Sequence, residues 1–212
     1  MRPLRRLVLL TLLPACGGSS RPANLGPTCG QVQPCGGDVV GDWTIATSCQ
    51  SGLQFAFSFC PDPTINPTGL ATTGTFSLRA DLTYTVATTA AGSLEIDFPA
   101  SCIASGSSCA DLTPSVQSAL VTMLGPGLQS VTCSGTAACA CTVFPVPSVT
   151  DGSGSYALSG STVTTTPADG SAPMTFDFCA QGQTLHLMTL NPSMIGPGGQ
   201  PAIVYDIVAQ KP

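Results

Sequence analysis

Val39-Val40-Gly41-Asp42-Trp43-Thr44-Ile45-Ala46-Thr47-Ser48-Cys49 contains the only tryptophan of the chain, and its reading decides the fold. In an extended segment Trp43, Ile45 and Thr47 share one face, while Asp42, Thr44, Ala46 and Ser48 share the other. That period of two predicts a strand with one covered face. Gly41 lets the chain turn in tightly ahead of it.

The same period recurs downstream. Leu53-Gln54-Phe55-Ala56-Phe57-Ser58-Phe59-Cys60 places Phe55, Phe57 and Phe59 in one row, which predicts a strand whose aromatic side is core or cavity lining. Pro61 to Gly69 reads as a loop. Two strands, 75–79 and 82–86, follow around a tight turn at Ala80-Asp81, with Phe76, Leu78, Leu82, Tyr84 and Val86 inward. Residues 93–98 alternate again, with Glu95 and Asp97 outward. In the second half, 140–144 precedes a turn at Asp151-Gly152-Ser153-Gly154. Segments 155–158, 161–165, 174–179, 184–190 and 202–208 complete the series, with Phe176 and Phe178 inward. About ten short strands separated by turn signals suit a sandwich or an up-and-down barrel.

Residues 99–141 interrupt this rhythm. Leu112, Val116, Leu120 and Leu124 recur every four residues, and Gly125-Pro126-Gly127 stops the pattern. One amphipathic helix over roughly 113–124 is expected, with Thr113 as N-cap and Pro114 at the first position. Its apolar stripe is expected to pack on the barrel or close one end.

The N-terminus reads as an address label. Arg2, Arg5 and Arg6 precede the apolar run Leu7 to Leu13, which as a helix would span only about 10 Å against a hydrocarbon thickness of about 30 Å. The run ends in Leu13-Pro14-Ala15-Cys16, which resembles the lipobox of bacterial lipoproteins. The resemblance implies cleavage before Cys16, lipidation of that cysteine and anchorage to a membrane of the cell envelope. Gly17 after the cysteine, rather than Asp, points to the outer membrane. The other reading is an ordinary signal peptide cut near Ala15, leaving Cys16 free. The expected division is therefore a lipoprotein signal peptide over 1–15, a lipid-anchored Gly/Ser/Pro tether over 16–38, and a single domain over 39–212 with the insert 99–141.

Export also accounts for the cysteines. There are 11, an odd number, and setting Cys16 aside leaves ten that an oxidising compartment can pair. Cys102, Cys109, Cys133, Cys139 and Cys141 lie in the insert; Cys29, Cys35, Cys49, Cys60 and Cys179 lie outside it. Five is odd, so full pairing requires at least one bridge out of the insert. The local pairs expected are Cys29–Cys35 and Cys102–Cys109. A zinc site at Cys133, Cys139 and Cys141 lacks the usual paired spacing.

Composition narrows the function. Past residue 15 only Arg21, Arg79 and Lys211 face 11 acidic residues, too few cations to neutralise phosphates, so nucleic acid is not an expected partner. His186, the only histidine, falls between Leu185 and Leu187 and is expected to face solvent. No Gly-x-Ser-x-Gly elbow is present, and the glycines at 152 and 154 precede strand rather than helix, so neither a hydrolase nor a dinucleotide fold is supported. No enzyme, metal or cofactor is expected.

The order of Gly41-Asp42-Trp43, the 75–84 hairpin, and the motifs at 154–163 and 176–187 is similar to that of lipocalin-like domains of bacterial envelope lipoproteins. The resemblance implies an all-β, antiparallel up-and-down barrel of about eight to ten strands, carrying one short helix in its cysteine-rich insert. In lipocalins the tryptophan packs near the closed end beneath an Arg from a late strand; no Arg follows Arg79 here. The side chains expected to line a ligand or fill the core are Trp43, Phe55, Phe57, Phe59, Phe76 and Tyr84, with Phe176 and Phe178. Two functions follow as expectations: a non-catalytic binder of a small apolar ligand, or a disulfide-stabilised structural module that contacts another envelope protein.

Overall fold

A computed structural model describes residues 32–51, 55, 57–191 and 203–212. Ten strands run in chain order: β1 (Gly41–Ser51), β2 (Thr64–Leu78), β3 (Thr83–Phe98), β4 (Leu128–Gly135), β5 (Cys139–Pro145), β6 (Ser148–Ser159), β7 (Thr162–Pro167), β8 (Met174–Gln181), β9 (Thr184–Asn191) and β10 (Ile203–Gln210). Every pairing among them is antiparallel. β1, β2, β3, β6, β7, β8, β9 and β10 are neighbours in that order, and β10 returns to β1, so eight strands close an up-and-down barrel. Closure removes the open edges that a flat sheet would expose.

The β2–β3 hairpin is longer than the barrel needs. β3 pairs with β6 through residues 83–90 and with β5 through 94–98. β4 and β5 therefore extend a second sheet from the far half of the hairpin, and helix α1 (Cys109–Leu124) packs on it. Two cores result. Trp43, Leu78, Tyr156, Val163, Phe178 and Leu185 form one at an end of the barrel. Leu94, Ile96, Phe98, Val116, Leu120 and Val143 belong to the other. The apolar stripe of α1 packs against β4 and β5 rather than on the barrel or across one of its ends.

Local chemistry explains where α1 begins. Ser108 and Asp111 form a capping box, with the Ser108 backbone N–H donating to the Asp111 carboxylate at 2.8 Å. The helix therefore starts about a turn before Thr113, and Pro114 sits inside it. Thr113 instead accepts a hydrogen bond from the Cys133 N–H at 3.3 Å, tying the helix to β4.

Four disulfides join Cys35 to Cys179, Cys60 to Cys102, Cys109 to Cys139, and Cys133 to Cys141. Cys49 is also disulfide-bonded. The pairs Cys29–Cys35 and Cys102–Cys109 are thus replaced, because strand register rather than sequence proximity brings sulfurs together. The Cys60–Cys102 bridge leaves the insert, as the odd count within 99–141 demands. The sulfurs of Cys133, Cys139 and Cys141 are in disulfides, not arranged for zinc. Cys16 and Cys29, with residues 1–31 on which the expected signal peptide and most of the expected tether fall, lie outside the described residues.

Thr64–Gly69 belongs to β2, not to a loop. Residues 151–154 lie within β6, where pairing with 84–87 of β3 overrides their turn-forming composition. Phe57 to Cys60 is a tight turn, with the Cys60 N–H donating to the Phe57 carbonyl at 3.1 Å, rather than the end of a strand.

Candidate ligand site in the barrel

The inward positions follow from register. Trp43 faces Phe76, Phe76 faces Val86, Tyr84 faces Gly154, Val163 faces Phe176, Phe178 faces Leu187, and Leu187 faces Ile207. A register shift between Ile45 and Thr47 turns Ser48, rather than Thr47, to the side of Ile207. The interior reads as three layers along the barrel axis.

The first layer is a sealed end. Trp43, Phe178 and Leu185 are each at most 1% exposed. The Trp43 indole N–H donates to the Val39 carbonyl at 2.8 Å, satisfying the one polar atom of the ring. Val39 arrives on the N-terminal segment, which is pinned to β8 by Cys35–Cys179 and by Cys35 and Gly36 N–H bonds to the Phe178 carbonyl. Across the end, the Tyr156 hydroxyl donates to the Arg79 carbonyl at 2.7 Å.

A late cation, a lysine, lies over the tryptophan. The Lys211 ammonium sits 4.8 Å from the Trp43 ring centroid, within cation–π range. Gly41 makes this possible: a Cβ there would lie 2.8 Å from Lys211 Cε, and its φ of +147° is one that side chains disfavour. Arg79 pairs with Asp42 at 2.9 Å on the exposed side of the same end. Lys211 follows β10 directly, and a cation at that place in the sequence is the signal for this contact.

The second layer is apolar and only half-buried. It includes Phe76, Val86, Phe176, Leu187 and Ile207. The change of regime is visible along β3 alone. Its inward residues Leu94, Ile96 and Phe98 are at most 5% exposed in the second core, whereas Tyr84, Val86 and Thr88 in the barrel are half-buried. Barrel-wall positions that no neighbour seals leave apolar surface for another molecule to cover. Gly154 has a similar effect: a Cβ there would fall 2.7 Å from the Tyr84 ring, so its absence admits the aromatic.

The third layer is hydroxylated: Ser48, Thr72, Thr88, Thr150 and Tyr205. The Ser48 hydroxyl accepts from the Thr72 N–H at 2.6 Å, bridging β1 and β2 where their ladder has ended at Thr44 and Thr75. Burial pushes the Tyr205 phenol up from its ordinary value. Burial, and secondarily the charge of Asp169, does the same for Tyr84.

Of the expected lining residues, Phe76, Tyr84 and Phe176 stand in the wall, and Trp43 and Phe178 in the sealed end. Phe55, Phe57 and Phe59 are not in the barrel. They pack with Phe98 in the second core, where the Phe57 and Phe98 rings lie 5.2 Å apart at 74°. Val86 and Leu187, both at positions whose alternation points inward, join the wall, and so does Ile207 from the same alternation in β10. A wide groove of about 500 Å³ runs between Phe59 and the Ser115, Ser118 and Thr122 side of α1.

His186 departs from its expected place in solvent. Leu185 and Leu187 do face the barrel interior, but the outer side of β9 and β10 is covered as well, and the His186 side chain is only 14% exposed. Its Nδ1 lies 3.9 Å from the carboxylate of Asp206, which is itself 5% exposed.

Comparison of the chain with protein-family models, with curated proteins and with solved structures returns no match. The closed eight-stranded antiparallel barrel, with its buried tryptophan beneath a cation, is consistent with a lipocalin-like architecture.

Proposed function

We propose that the protein is an exported, lipid-anchored envelope lipoprotein whose barrel binds a small apolar ligand without chemically altering it. The observation that carries the binding reading is the half-buried apolar layer above the Trp43 end. A barrel built only for stability would gain about 25 cal/mol for each further Å² of that wall it buried. Leaving Val86, Phe176 and Ile207 incompletely covered is better matched to a guest. Native mass spectrometry of protein purified from its own host under non-denaturing conditions tests this. A co-purifying small molecule, lost when Val86→Trp fills the wall, is expected; a bare chain that also fails to take up a neutral apolar fluorophore refutes it.

The anchor rests on Leu13-Pro14-Ala15-Cys16. Cys16→Ala should release the protein from the membrane fraction while leaving the barrel folded, and unmodified Cys16 in the mature wild-type N-terminal peptide would refute lipidation. Without an Asp after the lipid-bearing cysteine, the outer membrane is the proposed destination.

A second reading rests on the other core. Its three disulfides and the groove beside Phe59 and α1 suit a rigid face for another envelope protein. In-cell crosslinking from a residue replacing Ser118 would capture that partner, and absence of a specific adduct counts against this reading.

A further inference from the structure

Charges are distributed unevenly between the two sides of the barrel wall. Every inward position described on the eight barrel strands carries an apolar or an uncharged polar side chain. Asp42, Asp151, Asp177, His186 and Asp206 all fall on the opposite parity. Residues 52–56 and 192–202 also contain no Asp, Glu, Lys, Arg or His.

Among the described residues, the two Lys and Arg cations are committed elsewhere. Arg79 is paired with Asp42, and Lys211 lies over Trp43; both are at the sealed end. Trp43, Phe178 and Leu185 close that end between them and the half-buried wall. A carboxylate or phosphate within the barrel would therefore lose water without gaining a counter-charge from the described residues, an arrangement that strongly disfavours the ionised form. The hydroxyls of Ser48, Thr72 and Thr88 can still donate to and accept from a neutral polar head.

From this inner wall, and resting on the binding reading above, we propose that the barrel selects an uncharged amphipathic ligand. Its apolar body would lie against Val86, Phe176 and Ile207, and its hydroxyl- or ester-type head would meet the hydroxylated layer. The matching carboxylate would enter only as the neutral acid. With a carboxyl pKa of about 4.3, roughly one molecule in a thousand is neutral at about pH 7.5, so the acid binds roughly a thousandfold more weakly than the alcohol. That penalty shrinks about tenfold for each unit the pH falls, until the acid is mostly protonated.

The test uses the full chain with its disulfides intact. Dodecanol and dodecanoate compete against the neutral fluorophore N-phenyl-1-naphthylamine at about pH 7.5 and about pH 5.5. Preference for the alcohol, narrowing about a hundredfold between the two pH values, is expected. Equal displacement by both at the higher pH overturns the charge selection while leaving the binding reading in place. Failure of the fluorophore and of both competitors to bind overturns the binding reading, and the selection with it. Thr88→Lys puts an ammonium into the hydroxylated layer and should shift the preference at least tenfold toward dodecanoate. Should that variant fail to fold, Thr150→Lys on the exposed part of β6 makes the same test. An unchanged preference in a folded variant places the ligand elsewhere and overturns the proposal.

Discussion

At the scale of single residues, Trp43, Lys211 and Gly41 form one interdependent unit. The indole is buried and hydrogen-bonded to Val39, the ammonium covers its face, and the glycine leaves room for the lysine stem. Lys211→Met keeps most of the stem and removes the charge, so it should lower stability by about 0.5–2 kcal/mol, read from the urea midpoint. Lys211→Arg should retain most of it. Gly41→Ala should cost about 1–3 kcal/mol, combining a disfavoured backbone conformation with the collision against Lys211. In a Lys211→Ala background the collision is gone and only the backbone part remains. An equal cost of Gly41→Ala in both backgrounds would show that the glycine serves the backbone alone.

At the scale of elements, α1 depends on its first turn. Contacts from the Ser108 backbone and hydroxyl hold the Asp111 carboxyl below its ordinary range. A carboxyl whose folded value is depressed stabilises the fold above the unfolded value, near 3.9, and that contribution is lost as the pH falls through the folded value. Asp111→Asn should therefore flatten the acid limb of the stability profile over α1, measured by amide exchange at 116–120. An unaltered limb would show that the cap is not coupled to the helix. The same turn shows why the sequence misplaced the start of α1. Thr113-Pro114 offered a standard N-terminal signal, but Ser108-Cys109-Ala110-Asp111 offered a reciprocal one a turn earlier.

Strands were legible where bulky residues alternated, as at Phe76, Tyr84, Phe98, Phe176 and Leu187. They were not legible at 64–73 or 148–154, where Gly, Pro, Thr and Asp carry local turn preferences and pairing along the long β3 partner fixes the extended form. Alternation also misled at 53–60. A period of two among phenylalanines fits a strand, but Phe57 opens, and Phe59 lies within, a turn that carries Cys60 to Cys102, and both reach one core. For the candidate site, the aromatic members were legible by type. Their sorting into sealed end, open wall and second core depends on how far β2 and β3 outrun the barrel, which no local pattern records.

At the scale of the molecule, one strand passes through two cores held together by different means. Five of the thirteen buried residues in the second core are half-cystines, whereas the eight in the barrel core include none. The second core is therefore held by covalent ties as well as by burial, and breaking them frees a constraint on its unfolded chain that the barrel core does not rely on. The barrel has a closed ladder of eight strands, with Cys35–Cys179 fixing the segment beneath it. Graded reduction at neutral pH should therefore release the second core first. Amide protection should fall at 116–120 and 131–143 while it persists at 84–88, 185–188 and 206–209. Within β3 this places a boundary between Ala90, the last residue paired with β6, and Leu94, the first paired with β5. Hydrogen exchange resolved at single residues after stepwise reduction would locate that boundary. Loss of protection along all of β3 at one reductant concentration would mean that the two cores unfold as one cooperative unit and that the insert's disulfides stabilise the barrel itself. If the boundary does lie there, neutral-ligand binding should survive reduction that has already released α1, because the wall at Phe76, Val86 and Phe176 belongs wholly to the barrel half of the molecule.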